Sequence, residues 1–401
     1  MPYAHFFCTG RDVADDIDST HAPSSGGTPW KTTLDNFRAV DPPLRGAIFT
    51  VEQLELHAKA LAAAHGLGRC HGRGRLLRRL ADSERVLAEC YDRMSAAHAT
   101  GQRLVSAAEW LLDNHYLIEE HIQLARKHFP RGYSRHLPHL TGGENAGLPR
   151  VYDLIVELIR HVDGRVDDET LARYIAAYQS VTPLTLGELW SVAIMLRFAL
   201  IENLRRVSLR ITGQREHRDR ALAWAQRINE PGDRPDNALL VLAEMVRENP
   251  PLSPAFVAQF TQALHGRGPA TTYVLAWLEQ RLSDAGQGIE DVVRAESRSQ
   301  ATDQASMSNS IVSLRFVNAN EWHRFVETHS ATEKILRAEP AGVYGLMDFA
   351  TRDAYRRVVE STARRLRLGE EDVARAAVAL AAERHAAQKD DVAAHVGYVL
   401  V

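Results

Sequence analysis

The chain has 401 residues, 45% of them hydrophobic, with a formal net charge of −3. That length allows more than one folded core, and the near-balanced charge excludes the strongly basic footprint of nucleic-acid or anionic-membrane binders. Three cysteines (Cys8, Cys70 and Cys90) are too few and too scattered for a disulfide framework or a zinc site; they read as reduced thiols of a cytosolic compartment.

Residues 1–45 combine Asp, Ser, Gly, Thr and Pro with little periodicity and read as a disordered N-terminal segment. The start lacks a basic stretch followed by an apolar run, so it is not a secretory signal. From Phe49 onward the pattern is helical. Leu54, His57/Ala58 and Leu61 recur at helical spacing up to Gly66. The basic glycine-rich run Gly66–Arg75 follows no strand and lacks a closing Gly-Lys-Ser/Thr, so it reads as a linker and not a phosphate loop. Next come LLRRLADSERVLAECYDRMSAAHA and the helix AEWLLDNHYLIEEHI (Ala108–Ile122). Further helices are expected over Pro149–Val162, Asp167–Gln179, Leu186–Arg210, Glu216–Ile228, Asp236–Arg247, Ser253–Leu264 and Thr271–Ser283.

Polar Ser297–Ser310 reads as a loop and Ile311–Val317 as a short extended segment. Asn318 and Glu321 have capping-box spacing at the head of a helix through Leu336, which Pro340 and Gly342 break. Helices over Arg352–Leu366 and Glu370–Gln388 close the chain. No β-hairpin and no internal repeat is visible. The fold class is therefore all-α, a multi-helix array with at most one extended segment near 311–317. Its expected parts are a disordered segment 1–45, a helical domain 46–296 and a C-terminal helical subdomain 297–401. The longest apolar stretch, Ser191–Ile201, is interrupted by Arg197 and falls short of the roughly 20 residues that span a bilayer.

Candidate chemistry centres on AEWLLDNHYLIEEHI. Trp110, Asn114, Leu117, His121 and Leu124 share one helix face, so Asn114 and His121 interrupt an apolar stripe and read as buried packing groups. The carboxylates divide between other faces. Glu119 and Glu120 lack a histidine three residues on, and no His-Glu-x-x-His is present, so neither zincin nor ferritin-like di-metal spacing exists. Arg197 lies in line with Trp190, Ile194, Ile201 and Leu204; its burial would demand a carboxylate or carbonyl partner. Tyr355, Val358, Val359, Thr362 and Leu366 form one stripe with solvated arginines opposite. There is no Gly-x-Ser-x-Gly elbow, no Walker motif, and no strand-borne acidic pair for a nucleotide-sugar metal. Trp110, Trp190 and Trp322 sit on apolar stripes, whereas Tyr133 in PRGYSR is the aromatic least explained by packing, a candidate sugar contact. No catalytic, cofactor-binding or metal residue is assigned.

Five blocks, AEWLLDNHYLIEEHI, FPRGYSRHLP, VTPLTLGELW with IENLRR, EPAGVYGLMDFATRDAYRRVVE and AHVGYVLV, together resemble the N-terminal region of bacterial cyclic β-1,2-glucan synthases, from about Pro43 to Val401. The resemblance implies a large inner-membrane protein in which a cytoplasmic helical region precedes membrane helices, a processive glycosyltransferase and a phosphorylase-like domain. UDP-glucose and a divalent metal are implied for the transferase domain alone, and none of the family's catalytic residues falls on a position of this chain. The implied role is a scaffold or glucan-handling module at the inner face of the inner membrane, partnered by the transferase and membrane domains, serving production of an osmoregulated periplasmic glucan. A stand-alone helical interaction module is the alternative.

Overall fold

The computed structural model describes residues 44–68, 74–129, 133–229, 237–265, 269–388 and 394–400. Of the segment 1–45 expected to be disordered, residues 1–43 lie outside these residues, as do 69–73 of the Gly66–Arg75 linker; Leu44 is buried in a core and Arg45 bonds Asp303. Among the described residues are sixteen α-helices, two short 3-10 turns and one pair of two-residue antiparallel strands, so the all-α class holds.

The helices are α1 (Val51–Ala64), α2 (Arg75–Ala99), α3 (Ser106–Asp113), α4 (His115–His128), α5 (Arg150–His161), α6 (Asp168–Gln179), α7 (Leu186–Asn229), α8 (Asn237–Glu248), α9 (Pro254–Leu264) and α10 (Pro269–Ser283). They continue as α11 (Ile289–Ala319), α12 (Trp322–His329), α13 (Ala331–Arg337), α14 (Phe349–Leu366), α15 (Glu370–Ala387) and α16 (Val396–Leu400). The strands, β1 (Leu67–Gly68) and β2 (His139–Leu140), pin the end of α1 to the segment before α5. Local signals explain many boundaries. Thr50 and Gln53 close a capping box on α1, while Asp167, Ser253 and Asp348 cap α6, α9 and α14.

Apolar side chains gather in three cores. The first joins α1–α6, the first half of α7, the end of α11 and α12. The second surrounds Trp224, Met245, Phe256, Phe260 and Leu278, and the third Leu336, Tyr344, Val359 and Ala374. The boundary expected between 296 and 297 falls inside α11.

Four sequence expectations are corrected. The helices expected over Leu186–Arg210 and Glu216–Ile228 are one 44-residue helix, about 66 Å long at 1.5 Å per residue. The expected loop Ser297–Ser310 and extended segment Ile311–Val317 both lie within α11. These two errors share a cause, because α7 and α11 run antiparallel and meet along a polar line. Arg197 donates to Asn318 Oδ1 at 3.0 Å, and Asn203 donates to Ser306 and Ser310 at 3.2 and 3.0 Å. Arg210 Nε meets Asp303 at 2.9 Å, Gln214 meets Ser299 at 3.3 Å, and Arg218 meets Glu296 at 3.1 Å. Residues 210, 214 and 218 are four apart, so one face of α7 stays bonded to α11 past Gly213, offsetting the roughly 1 kcal/mol that a mid-helix glycine costs. Ser306, Ser310 and Ser313 of α11 are polar in sequence yet wholly buried, and their small side chains let the backbones approach.

The other two corrections concern helix ends. Asn318 does not cap α12; it lies inside α11, and Glu321 precedes α12 without a side-chain cap bond. AEWLLDNHYLIEEHI is broken at Asn114, whose side-chain amide donates to Trp110 O at 2.9 Å and so takes up a carbonyl at the end of α3.

The turn between α5 and α6 also docks on α11. Ser313 Oγ donates to Gly164 O at 2.7 Å and accepts from Val166 N at 2.8 Å. Gly164 has φ of 78°, and a Cβ there would meet Ser310 Oγ at 2.6 Å, so conformation and space both require glycine.

His121 is fully buried on α4, and neither ring nitrogen has a hydrogen-bond partner. Burial and the nearby Arg197 guanidinium hold it down to about 4, so it is neutral in the fold at pH 7. The unfolded chain takes up this proton below about pH 6.5 and the folded chain only near 4, so stability falls as pH drops through that window. His121→Leu is expected to cost little at pH 7 and to recover about 1–2 kcal/mol at pH 5 relative to the parent. Urea unfolding at both pH values measures this, and an unchanged pH dependence in the variant would contradict it.

Candidate functional site

Three of the blocks singled out in the sequence meet at the N-terminal end of α7. Glu188 is fully buried and accepts Arg150 Nε at 2.6 Å and Nη2 at 2.7 Å. It also accepts Thr185 N at 2.9 Å and the Thr185 hydroxyl at 3.0 Å, completing the capping box that the sequence shows. Arg150 on α5 further donates to Pro183 O at 2.7 Å, so one guanidinium fixes both the cap and the turn before it. Tyr133, from the PRGYSR loop, donates to Gly187 O at 3.3 Å and sets its ring against Phe129, with centroids 5.4 Å apart. Its hydroxyl is thus engaged inside the fold, and burial followed by the Glu360 carboxylate raises it above the usual tyrosine range.

From the third core, Glu370 accepts Leu186 N at 2.9 Å, and Glu360 Oε1 lies 3.6 Å from where a Cβ on Gly187 would stand. Burial, with the neighbouring Glu360 and Glu188 charges adding to it, pushes Glu370 up to about 7. The cluster places three carboxyl groups around one largely buried helix end, with the Arg150 guanidinium on Glu188 and that of Arg364 on Glu360. Its chemistry is that of a clamp that retains a proton near neutrality; every strong donor in it is turned inward.

The other sequence candidates sit apart from this clamp. Asn114, His121 and Arg197 are all buried where α3, α4, α7 and α11 meet. Asn114 Oδ1 accepts from Arg315 at 2.6 Å. Arg197 finds no carboxylate hydrogen bond; its acceptors are Asn318 Oδ1 and its own-helix Ala193 O at 3.4 Å. Burial brings its guanidinium down to about 10, still charged at neutral pH.

A larger cluster escaped the sequence. The arginine face of α14, expected to be solvated, turns partly inward: Arg356 is fully buried and Arg352 nearly so. Glu333 accepts Tyr344 Oη at 2.6 Å, Arg337 Nε at 2.7 Å and Arg352 at 3.2 Å, and also Arg356. Glu339 accepts Val396 N at 2.8 Å and the Tyr344 amide. The buried line on α14 is Asp353, Arg356, Val359 and Ala363, rotated from the expected stripe, and Leu366 is exposed. The only available signal was EPAGVYG itself, a Glu-Pro turn ahead of an arginine-rich helix.

A cleft of about 1210 Å³ lies between α2, α3, α7, α9 and α11, where the first and second cores adjoin. Six glutamines line it: Gln102, Gln226, Gln259, Gln262, Gln300 and Gln304. Arg215 and Arg218 stand on its wall and are tied to Asp219 and Glu296. Carboxamides present donors and acceptors side by side without charge, which matches a neutral polyhydroxylated ligand such as a sugar chain. Among the described residues no Phe, Tyr or Trp lines it, so recognition there would rest on hydrogen bonds and not on ring stacking.

The clamp's raised carboxyl has a consequence for stability. Glu370 binds a proton more tightly folded than unfolded, so its contribution is full below pH 4.5 and is lost as pH rises through about 7. Glu370→Gln keeps an acceptor for Leu186 N and removes the charge. The variant is expected to be more stable than the parent at pH 8, by on the order of 1 kcal/mol after solvent screening, with little difference at pH 4. Thermal melts at the two pH values check it; equal stability at pH 8 would contradict it.

No protein-family model matches the chain. It is similar, however, to the cyclic beta-(1,2)-glucan synthase NdvB of Rhizobium meliloti (strain 1021), with 33% identity over 310 residues. The match takes in 76% of this chain and 11% of the length of that synthase. The chain is therefore related to one segment of a cyclic β-(1,2)-glucan synthase.

Proposed function

We propose that the chain serves as the N-terminal helical module of a cyclic β-1,2-glucan synthase, a scaffold for the membrane-borne transferase that does not catalyse by itself. The observation that carries this is the match over three quarters of the chain to a segment of such a synthase. Two structural features support it. Among the described residues no helix is long and apolar enough to cross a membrane. The charged clusters at α7 and α14 are closed upon themselves, an arrangement suited to holding shape and not to turning over substrate. Its place would be the cytoplasmic face of the inner membrane, beside domains that use UDP-glucose with a divalent metal.

Within that role the glutamine-lined cleft is where a growing glucan would be handled. Six carboxamides, each offering both donors and acceptors without charge of its own, can exchange hydrogen bonds with successive hydroxyls as the chain slides. Tyr133, whose hydroxyl serves Gly187, takes the lesser part in sugar contact. The test is reconstitution in trans: this chain is co-expressed with a synthase lacking the matching segment. Co-purification and restored glucan output are expected. Failure of both would leave a stand-alone helical interaction module as the better reading.

A further inference from the structure

His57 on α1 and Glu157 and His161 on α5 converge on one point, the only His/Cys/carboxylate trio among the described residues close enough to hold a metal ion. His57 Nε2 lies 3.1 Å and His161 Nε2 3.5 Å from the same oxygen, Glu157 Oε2. All three ligand atoms fall within 4.8 Å of one another. Tetrahedral zinc with bonds of 2.0–2.1 Å separates its ligand atoms by about 3.3 Å, between the two distances seen.

The tautomer agrees with this. His161 Nδ1 is 2.7 Å from Ala47 O, and a carbonyl can only accept, so Nδ1 carries the hydrogen. That leaves the neutral ring's lone pair on Nε2, aimed at a carboxylate oxygen, an arrangement that a cation between them would satisfy. A backbone carbonyl behind the distal nitrogen is also the usual outer support of a metal-bound imidazole. Glu157 is oriented in turn by Arg160, whose Nη1 meets the other carboxylate oxygen at 2.9 Å.

The pocket is built around the trio. Phe49 stacks on His161 with centroids 3.9 Å apart and planes 4° from parallel, and its ring stands edge-on to His57 at 5.6 Å. Gly46 and Phe49 bind back to Arg160 O and His161 O at 3.0 Å each, wrapping residues 46–49 over the end of α5. A Cβ on Gly46 would come within 2.7 Å of the His161 ring, so glycine is what permits this approach. His57 keeps 25% of its side-chain surface exposed, while Glu157 and His161 keep 13% and 11%, which leaves an opening on the His57 side for a metal and a fourth, water ligand.

We infer that His57, Glu157 and His161 form a binding site for a zinc-class divalent cation, with a structural role of clasping α1 and the 46–49 segment to α5. The donor set of two imidazoles and one carboxylate selects borderline ions over calcium or magnesium. Sequence spacing could not show it, because His57 is 100 residues from Glu157 and the Glu157–His161 pair is four apart, not three.

The experiment uses the full chain without an affinity tag, stripped with chelator, dialysed, and titrated with zinc chloride and then with cobalt(II). One zinc per chain, a raised melting temperature on zinc addition and visible cobalt bands of a four-coordinate site are expected. His57→Ala should weaken zinc binding by about 100-fold or more and abolish the cobalt bands. Circular dichroism of the metal-free variant should match the parent. His57→Gln, which keeps a polar side chain against Glu157, repeats the comparison if alanine impairs folding. Absence of stoichiometric zinc, or binding equal in parent and variants, overturns the assignment; in the latter case the metal sits on other histidines and the trio is an ordinary histidine–carboxylate cluster.

Discussion

The antiparallel contact between α7 and α11 is the constraint on which most of the molecule depends. Buried amides, hydroxyls and charges are costly unless each finds a partner, and this contact contains all three. Asn203, Ser306, Ser310 and Asp303 are wholly buried. Arg197 with Asn318, Asn203 with Ser306 and Ser310, Arg210 with Asp303, and Arg218 with Glu296 are satisfied only in one register. Sliding α11 by one turn would separate the Arg197, Arg210 and Arg218 pairs at once. Because α7 passes through both the first and second cores, this register also fixes how those cores adjoin and hence the cleft between them. Asp303 extends the constraint to the start of the described chain, since Arg45 donates to it at 3.0 Å.

The N-terminal end of α7 adds the third core to the same frame. Arg150 and Glu188 form a bidentate pair out of contact with water, an arrangement whose loss on one side leaves an uncompensated charge worth several kcal/mol. Glu370 completes the helix end from α15. Residues from FPRGYSRHLP, VTPLTLGELW and α14, which carries Glu360, therefore meet in space although they are far apart in sequence. Their shared location accounts for them as parts of one mechanical joint.

Much of the helical architecture was legible in the chain. Apolar spacing of three and four places most helices to within a few residues. The polar half of α11 was not legible, because a serine-rich stretch that buries against another helix's polar line has the same composition as a solvated loop. Arg352 and Arg356 were misread for the mirror-image reason: their partners, Glu327 and Glu333, belong to other helices, so an inward arginine looks like a surface one. The break at Asn114 depends on a side chain bonding its own preceding turn and on Arg315, neither visible in a periodic pattern. Of the residues singled out beforehand, Asn114, His121 and Arg197 lie near one another, while Tyr133 belongs to the α7 joint. The histidine–glutamate trio and the glutamine cleft arise only when distant segments are folded together.

The chain is thus a helical module whose polar interior sets its shape and whose surface carries a glutamine-lined cleft and one histidine-rich corner. Under the proposed scaffold role, that rigidity would hold a defined face toward the domains that carry the chemistry. The most direct measurement is hydrogen–deuterium exchange, read by mass spectrometry, of the Asp303→Ala variant against the parent. If the α7–α11 register governs the assembly, protection falls together in residues 203–218 of α7, in 296–313 of α11 and in the 44–50 segment, while the third core is unchanged. Loss of protection confined to the turn around position 303 would contradict it.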